Sequence, residues 1–560
     1  VEGKQLHKST SFLEEYIMRR SIVQDYDGIV IGAGPNGLTV GAYLAKAGLK
    51  VLVLEKRFEL GGGLSTERVT IPGFLHDVHA IYHMMVDYAP PLKDLRLEED
   101  FDLKWIYPEL QVVMPFSDGK YLALYSDPER SCESIKQFSA KDAEAFRNFA
   151  KWSQKAMDLF LAPASYVNPM ASIDQAAKLE ANPITKRDDE LTGFTPKQIV
   201  DGWFENERVR ALLLYLACMW GLDYDLEGLG YLVPLMLNRG WHFRLCQGGS
   251  HHLAHLMSKF IYQSGGMVLT NQMIKRLVIK NGQAKGVELE DGRVIKANKF
   301  VCSSLNPHQT FFELVGENYL DEELITRVKE WTYSDWSFFT VHMALSKAPQ
   351  FKIAEADPSL NNSLIYVLGY ENEEELVNHF EAIKRGELIS GGFNSCFPSI
   401  HDPIRAPSGR HVGLISQEAP YNLKDGGPQA WYQVRREHTE RCKEVLRRYA
   451  PNMTDKNIIW DYMATPLDTE NKFADMKQGC FKQGAYLPLQ MGYFRPNEYC
   501  CQHSTPIEKL YICGASTHSG GMITFGPGYC ATEKIAEELG IEKWWPEDHY
   551  VKLAKEAGLF

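Results

Sequence analysis

No Cys-x-x-Cys occurs in the 560 residues, which excludes a zinc ribbon and a dithiol redox pair. The eleven cysteines are scattered and odd in number, with Cys500–Cys501 the only close pair. They read as small buried hydrophobes in a reducing, cytoplasmic setting. No apolar run approaches the roughly 18–20 residues of a spanning helix. The longest, Ala211–Leu222, reads as a core or tunnel helix. Blocks of Lys and Arg are missing and the net charge is −12, so no nucleic-acid partner is expected. Repeats and low-complexity segments are also missing. The visible start carries no secretory h-region, and its first residue is not Met. Phe12, Leu13, Tyr16 and Ile17 form one apolar helical face, with Arg19 and Arg20 beyond it. Docking on the body or on another subunit is the preferred reading, which leaves a homo- or hetero-oligomer open. Peripheral membrane contact is the alternative.

The chain is long enough for two or three domains, and at 44% hydrophobic and 24% charged it has a soluble globular composition. Its strongest signal is Asp27-Gly-Ile-Val-Ile-Gly32-Ala-Gly34-Pro-Asn-Gly37, followed by a small-residue helix and the strand Lys50–Glu55. This is a dinucleotide-binding βαβ unit. Gly32 permits the tight turn, and Gly34 lets backbone approach a pyrophosphate. Gly37, with Gly41 and Ala42, brings the helix close to the strands. The helix N-terminus offers free N–H groups to the anion. The Glu55 carboxylate suits both hydroxyls of a ribose and would repel a 2′-phosphate.

Further along, Gly61-Gly62-Gly63-Leu64 reads as a loop that passes close to a flat or anionic group. Residues 105–125 read as a hairpin turning at Asp118-Gly119. Residues 129–160 read as helical, with Ser139 as a cap. Residues 160–240 form a helical block rich in Leu, Met, Tyr and Trp. Gly248-Gly249 precede a helix, Gly265-Gly266 a strand, and Asn281-Gly282 and Asp291-Gly292 mark two hairpins. Residues 335–420 are strand-rich and make a candidate wall for a substrate site, and 430–449 read as one charged helix. His251-His252-x-x-His255 has helical ligand spacing but lacks a matched Glu or Cys cluster, so no metal site is expected.

A second glycine-rich segment lies near the C-terminus: Leu510-Tyr-Ile-Cys-Gly514-Ala515-Ser-Thr-His518-Ser-Gly520-Gly521-Met522-Ile523-Thr-Phe-Gly526-Pro-Gly528. A strand runs into a small-residue turn and then a helix, about Gly526 to Glu538. A tightly held cofactor with two ends would profit from both clamps. No second fingerprint follows a strand, so a separate NAD(P)H domain is not expected and electrons should go to oxygen, a quinone or a carrier protein.

With these motifs the chain resembles the phytoene desaturase family of flavoproteins, within the wider amine oxidase group. The resemblance spans most of residues 26–540: Gly32–Gly37, Glu55, Gly62-Gly63, the Asp118-Gly119 hairpin, Phe138–Asp142, Gly248-Gly249, the strand around Ile274, Pro403–Pro407 and Leu510–Gly528. It implies FAD and an α/β fold with a Rossmann-like FAD-binding domain, a mixed-sheet substrate domain and a helical insertion. The implied FAD-binding parts are 26–105, 246–310 and 491–560. The substrate domain takes 106–160 and 311–490, the insertion 161–245, and 1–25 is an extension. By this resemblance Gly32, Gly34, Pro35 and Gly37 hold the pyrophosphate, with Asn36 in the same set. Glu55 holds the adenosine ribose beside Lys56, and Ile274 contacts adenine. Gly62, Gly63 and Leu64 lie near the ribityl chain and ring, and Gly514, Ala515, Gly521, Met522 and Ile523 line the other end. The chain departs from the wider flavoprotein pattern at Ala515-Ser516, where many members carry an acid for a ribityl hydroxyl.

The implied chemistry is hydride loss from an apolar, isoprenoid or alicyclic substrate, with a proton leaving to a weak base, water or a carbonyl. A helix N-terminus near 526 would favour negative charge on the reduced cofactor. His79, Tyr82, Arg244 and His518 are the candidate catalytic residues, with Asp77, Trp241, His242 and Thr517 nearby in sequence. A plain structural role is at least as good a reading for each histidine. An amine oxidase, a redox-neutral double-bond isomerase and a non-enzymatic flavin-fold protein are the competing readings.

Overall fold

The computed structural model describes residues 25–560; the amphipathic face expected at 12–20 lies outside them. The first strand, Asp25–Ile31, is apolar from Gly28 onward and is buried on both faces there. Such a strand needs a partner on each edge. It finds Val51–Leu54 on one side and Val294–Ser303 on the other, both parallel. Met267–Leu269 extends the sheet beyond Val51–Leu54. Leu510–Ile512 pairs, again parallel, with the end of Val294–Ser303. Two hairpins turning at Asn281-Gly282 and Asp291-Gly292 add Ile274–Lys280 and Gln283–Leu289 in antiparallel pairing. The result is a seven-stranded sheet assembled from three distant stretches of chain.

Alternate residues divide its two faces. Val30, Val51 and Val53 pack against the helices Pro35–Lys46, Ser250–Gln263 and Gly526–Leu539. Ile29, Ile31, Leu52 and Leu54 pack against Leu277, Val287 and Ile295 of the hairpins. Gly41 makes the helix–sheet approach possible: a Cβ there would lie 2.7 Å from Val53 Cγ2.

A second sheet runs Ile458–Ala464, Trp336–Leu345, His411–Pro420, Phe393–Cys396, Ile365–Leu368, Leu110–Pro115, Tyr121–Tyr125. Every pairing is antiparallel except Ile365–Leu368 with Leu110–Pro115. The strand Trp336–Leu345 alternates in use. Phe339, Val341 and Met343 enter a core closed by the helix Trp431–Tyr449, where the Phe339 and Trp431 rings stack 5.5 Å apart. Phe338, Thr340 and His342 face the other way, into a cavity.

Residues 128–240 are helical except for short connections. Asp127 caps Pro128–Lys136, and Ser139 caps Ala140–Ala156 by accepting the Asp142 N–H at 3.0 Å. The helix Glu207–Cys218 is buried almost all round, and the chain then turns so that Trp220 reaches the cavity. None of the described helices is long and apolar enough to cross a membrane. All eleven cysteines are free and buried.

The loop after Gly63 is pinned to the second sheet by a fully buried ionic cluster. Arg405 donates to Asp77 at 2.6 Å and to Asp402 at 2.7 Å. Asp77 also accepts from the Ser250 N–H and the Thr66 hydroxyl. Buried charges of this kind persist only when their hydrogen bonds are made.

Candidate active site

The first glycine turn fits its role atom by atom. Gly32 has φ +91°, and a Cβ there would lie 2.3 Å from Ser304 Oγ. A Cβ on Gly37 would lie 2.0 Å from the Gly32 carbonyl oxygen. Gly34 is the opposite case: nothing stands within 4 Å of where its Cβ would be, and it borders a cavity of about 390 Å³. The crowded glycines shape the turn, and the uncrowded one leaves room for a ligand.

Glu55 ends the strand Val51–Leu54 and lines the same cavity. Its Oε2 accepts from the Ala33 N–H and its Oε1 from the Arg57 N–H, both at 2.9 Å. Burial pushes its carboxyl above the ordinary range, and the two N–H bonds pull it back. Each oxygen retains acceptor capacity beyond the bond it already makes. Lys56, Arg57, Gln272, Met273 and Ile274 complete this end. Gly62 then meets the glycine turn, a Cβ on it lying 3.1 Å from Gly34 Cα.

Ala515, Gly520, Gly521, Met522 and Ile523 line the opposite side of the cavity. Met522, Ile523 and Phe525 hold left-handed φ values of 70°, 54° and 63°. Such backbone costs about 1–2 kcal/mol per non-glycine residue. It leads directly into the helix Gly526–Leu539. That helix packs on Pro35–Lys46 so closely that a Cβ on Gly528 would lie 2.5 Å from the Asn36 carbonyl oxygen. Two helix N-termini therefore meet at one cavity, and their dipoles both favour negative charge there. Gly37, Leu64 and Gly514 do not border the cavity. They support it from behind, Gly514 against Ser304 and Gln483.

The four catalytic candidates separate. His79 and Tyr82 line the cavity. His79 lies 4.6 Å from the Phe473 ring, and burial with the nearby Lys472 and Arg57 charges holds its imidazole well below the ordinary range. The Tyr82 hydroxyl donates to Asn394 Oδ1 at 3.3 Å. Arg244 does not line the cavity. Its backbone bridges to His83 and its guanidinium lies 5.0 Å over the Tyr107 ring. His518 is also outside, its Nε2 bonded to the Ala164 carbonyl at 2.7 Å, and burial pushes it down to about 4. His242 is tied to the Asn238 carbonyl, Thr517 to the Gly514 carbonyl, and Trp241 is core.

Beyond Tyr82 the cavity is walled by Trp220, Phe338, Leu414 and Phe481. The Phe338 and Phe481 rings stack 5.3 Å apart. Across the sheet floor, Asn394, Ser416, Thr340 and Ala464 stand in register on four neighbouring strands, and all four border the cavity. His342 follows Thr340 on the same face, held well below the ordinary range by burial and by His76 and His79.

Comparison with known proteins places this arrangement. Residues 30–96 match the family model described as an NAD(P)-binding Rossmann-like domain. A limonene dehydrogenase subunit of Castellaniella defragrans is 39% identical over 552 residues, covering 96% of this chain and 100% of that protein. The chain belongs to the phytoene desaturase-like family of FAD-dependent oxidoreductases. A lycopene-forming phytoene desaturase of Pseudescherichia vulneris is 24% identical, covering 92% of this chain and 99% of its own. Cyclohexylamine oxidase from Brevibacterium oxydans shares the fold, with a TM-score of 0.56 at 16% identity over 92% of this chain and 100% of that one.

FAD is therefore the cofactor of this desaturase-family chain, and its residues fit. Gly32, Gly34, Pro35 and Asn36 would present the turn and helix N-terminus to its pyrophosphate. Glu55, Lys56 and Ile274 would hold the adenosine end. Gly62, Gly63, Ala515, Gly521, Met522 and Ile523, which line the same cavity, would lie toward the ring. The sequence marks 335–420 as a candidate wall without singling out residues, and Phe338, Thr340, Asn394 and Ser416 of that range border the cavity; it singles out neither Trp220 nor the segment Lys472–Met476. Period-two alternation in Trp336–Leu345 was the available signal, since Phe338, Thr340 and His342 share one face.

Proposed function

We propose that the protein removes a hydride from a C–H of an apolar isoprenoid or alicyclic substrate and passes the electrons to a non-nicotinamide acceptor, a quinone, oxygen or a carrier protein. The observation that carries this reading is one continuous cavity, running from Gly34 and Glu55 to the wall of Trp220, Phe338, Leu414 and Phe481. FAD, when bound, supplies the two-electron acceptor. The wall holds an apolar skeleton by burial, at about 25 cal/mol per Å² of apolar surface, and keeps water away from it. His79 borders the cavity with no hydrogen-bond partner among the described residues; burial and the nearby Lys472 and Arg57 charges disfavour its protonated form, so it is a weak base, adequate only because the proton beside a substrate carbocation is strongly acidic. The row Asn394, Ser416, Thr340 offers positions for a water molecule that carries the proton onward.

Relatives named for limonene and phytoene, both isoprenoid hydrocarbons, support this substrate class. An amine substrate has less support: none of the second-sheet residues bordering the cavity is an acid, and Asp77, which also borders it, is already paired with Arg405. The test is anaerobic titration of the oxidised holoprotein with cyclic monoterpenes, longer isoprenoids, alicyclic acids and amines. Loss of the flavin absorbance with a monoterpene or longer isoprenoid is expected. Bleaching by amines alone, or product formed without any lasting flavin reduction, would overturn the proposal.

A further inference from the structure

The turn after the last strand of the FAD-binding sheet carries no acid. Ala515 and Ser516 follow Gly514, and Ser516 is only 2% exposed. Its N–H is already spent, donating to Gln483 Oε1 at 3.1 Å. The amide of Gln483 makes two further bonds through Nε2, to the Ser304 carbonyl at 3.1 Å and to the Asp475 carboxylate at 2.6 Å. Gln483 is wedged tightly, since a Cβ on Gly514 would lie 2.5 Å from its Oε1. Its own backbone is held at φ +56°, in the left-handed region, at a cost of about 1–2 kcal/mol. A side chain fixed at this expense, with three partners from three separate segments, is placed to hold something in position.

What it holds is Asp475. The main chain of Asp475 is fixed as well, its carbonyl accepting from Asn306 Nδ2 at 3.1 Å. The carboxyl borders the cavity together with Gln483, Ser304 and Ala515, and protein encloses it on its other sides. No cation forms an ion pair with it among the described residues, although Arg57 and Lys56 lie near enough to be felt. A buried carboxyl without a counter-ion is costly unless a ligand supplies its hydrogen bonds. FAD brings such donors: the hydroxyls of the ribityl chain and those of the adenosine ribose.

We propose that Asp475 binds sugar-type hydroxyl groups of FAD, and that Gln483 is its positioning residue. The carboxyl supplies from a separate segment the acid that Ala515-Ser516 lacks. Glu55 and Asp475 then form two acidic holds on one cofactor, each a rigid acceptor: the first is fixed by two backbone N–H groups, the second by one amide.

The test is cofactor affinity, measured by stripping the purified holoprotein and titrating it with FAD, FMN or ADP-ribose. FAD binding by the wild-type protein provides the reference, so a failure of the cofactor assignment is distinguished from a failure at this residue. Asp475→Ala should weaken FAD at least tenfold, and the isosteric Asp475→Asn should weaken it by a smaller factor. Loss confined to FMN assigns the ribityl hydroxyls, and loss confined to ADP-ribose assigns the ribose; either supports the proposal. Gln483→Leu should weaken FAD in the wild-type background and add less than twofold on top of Asp475→Ala, the signature of a residue that acts through the carboxyl. If Asp475→Ala fails to fold by circular dichroism, Asp475→Asn decides. Folded Asp475 variants that bind all three probes within twofold of wild type would overturn the proposal.

Discussion

The two ends of the cavity are built by different means. The cofactor end is made of backbone: glycine turns, helix N-termini and a carboxylate fixed by N–H groups. The substrate end is made of side chains: aromatic rings and short polar groups that share a cavity because strands pair in one register. A backbone site leaves no room for a Cβ at the glycines that shape its turn, Gly32 and Gly37, and its geometry is written into a few neighbouring residues. A side-chain site tolerates exchange of its lining, because the frame beneath remains when one ring is removed. Changes at the first end should abolish cofactor binding. Changes at the second should alter what is bound beside it.

Gly37→Ala gives the largest expected effect, because the new Cβ would lie 2.0 Å from the Gly32 carbonyl oxygen. The turn cannot open without moving the strand end. Flavin content, read from visible absorbance relative to protein, should fall more than tenfold. Near-normal flavin content would break the distinction drawn above.

Phe338→Ala should act on the other end alone. Removing the ring unstacks Phe481 and opens the wall, and a lost aromatic contact of about 1–1.5 kcal/mol together with its buried area corresponds to roughly a tenfold or larger rise in KM for an apolar substrate. Flavin content should stay within roughly 20% of wild type, because the two sites share no partner. If KM is unchanged and flavin is lost instead, the wall belongs to the cofactor.

The smallest effect is expected behind the wall. Glu418 stands opposite Phe338 on the neighbouring strand, and burial raises its carboxyl from an ordinary 4.5 to about 8, against the pull of Lys482. Below pH 4.5 the folded and unfolded chains both hold this proton, and no penalty arises. Between 4.5 and 8 only the unfolded chain releases it, so stability falls as pH rises and then levels off. The slope is about 1.4 kcal/mol per pH unit. Glu418→Gln should therefore match wild type in Tm at the acid end and exceed it by a few degrees above pH 8, a small gain for a chain of this length. Equal Tm values across the range would show that the carboxyl is solvated.

The same division explains what could be read without coordinates. Gly32, Gly34, Gly37 and Glu55 lie within 24 residues and act through local geometry, so their spacing announced them. The Ser139 cap and the hairpin turns at Gly282 and Gly292 are local in the same sense. Arg244 and His518 adjoin glycine turns, which is what marks them in the sequence. Their environments depend on distant chain: Arg244 turns toward Tyr107 through the pairing of Trp105–Ile106 with Leu245–Cys246, and His518 meets a carbonyl of the helical block. Trp220 and Phe338 join the wall only because a helix and a strand far apart in sequence converge. Asp475 lies in no periodic element and becomes visible only through its bond to Gln483.

The parallel part of the first sheet is completed by Leu510–Ile512, and the second helix N-terminus at the cavity belongs to Gly526–Leu539. During synthesis the first glycine turn emerges nearly 500 residues ahead of these pieces. A nascent chain can thus form its opening strand and helix long before it can retain a flavin. Firm retention of the cofactor is then expected only late in maturation, and a product truncated before residue 510 should hold less FAD than the full chain, since it lacks one of the two clamps.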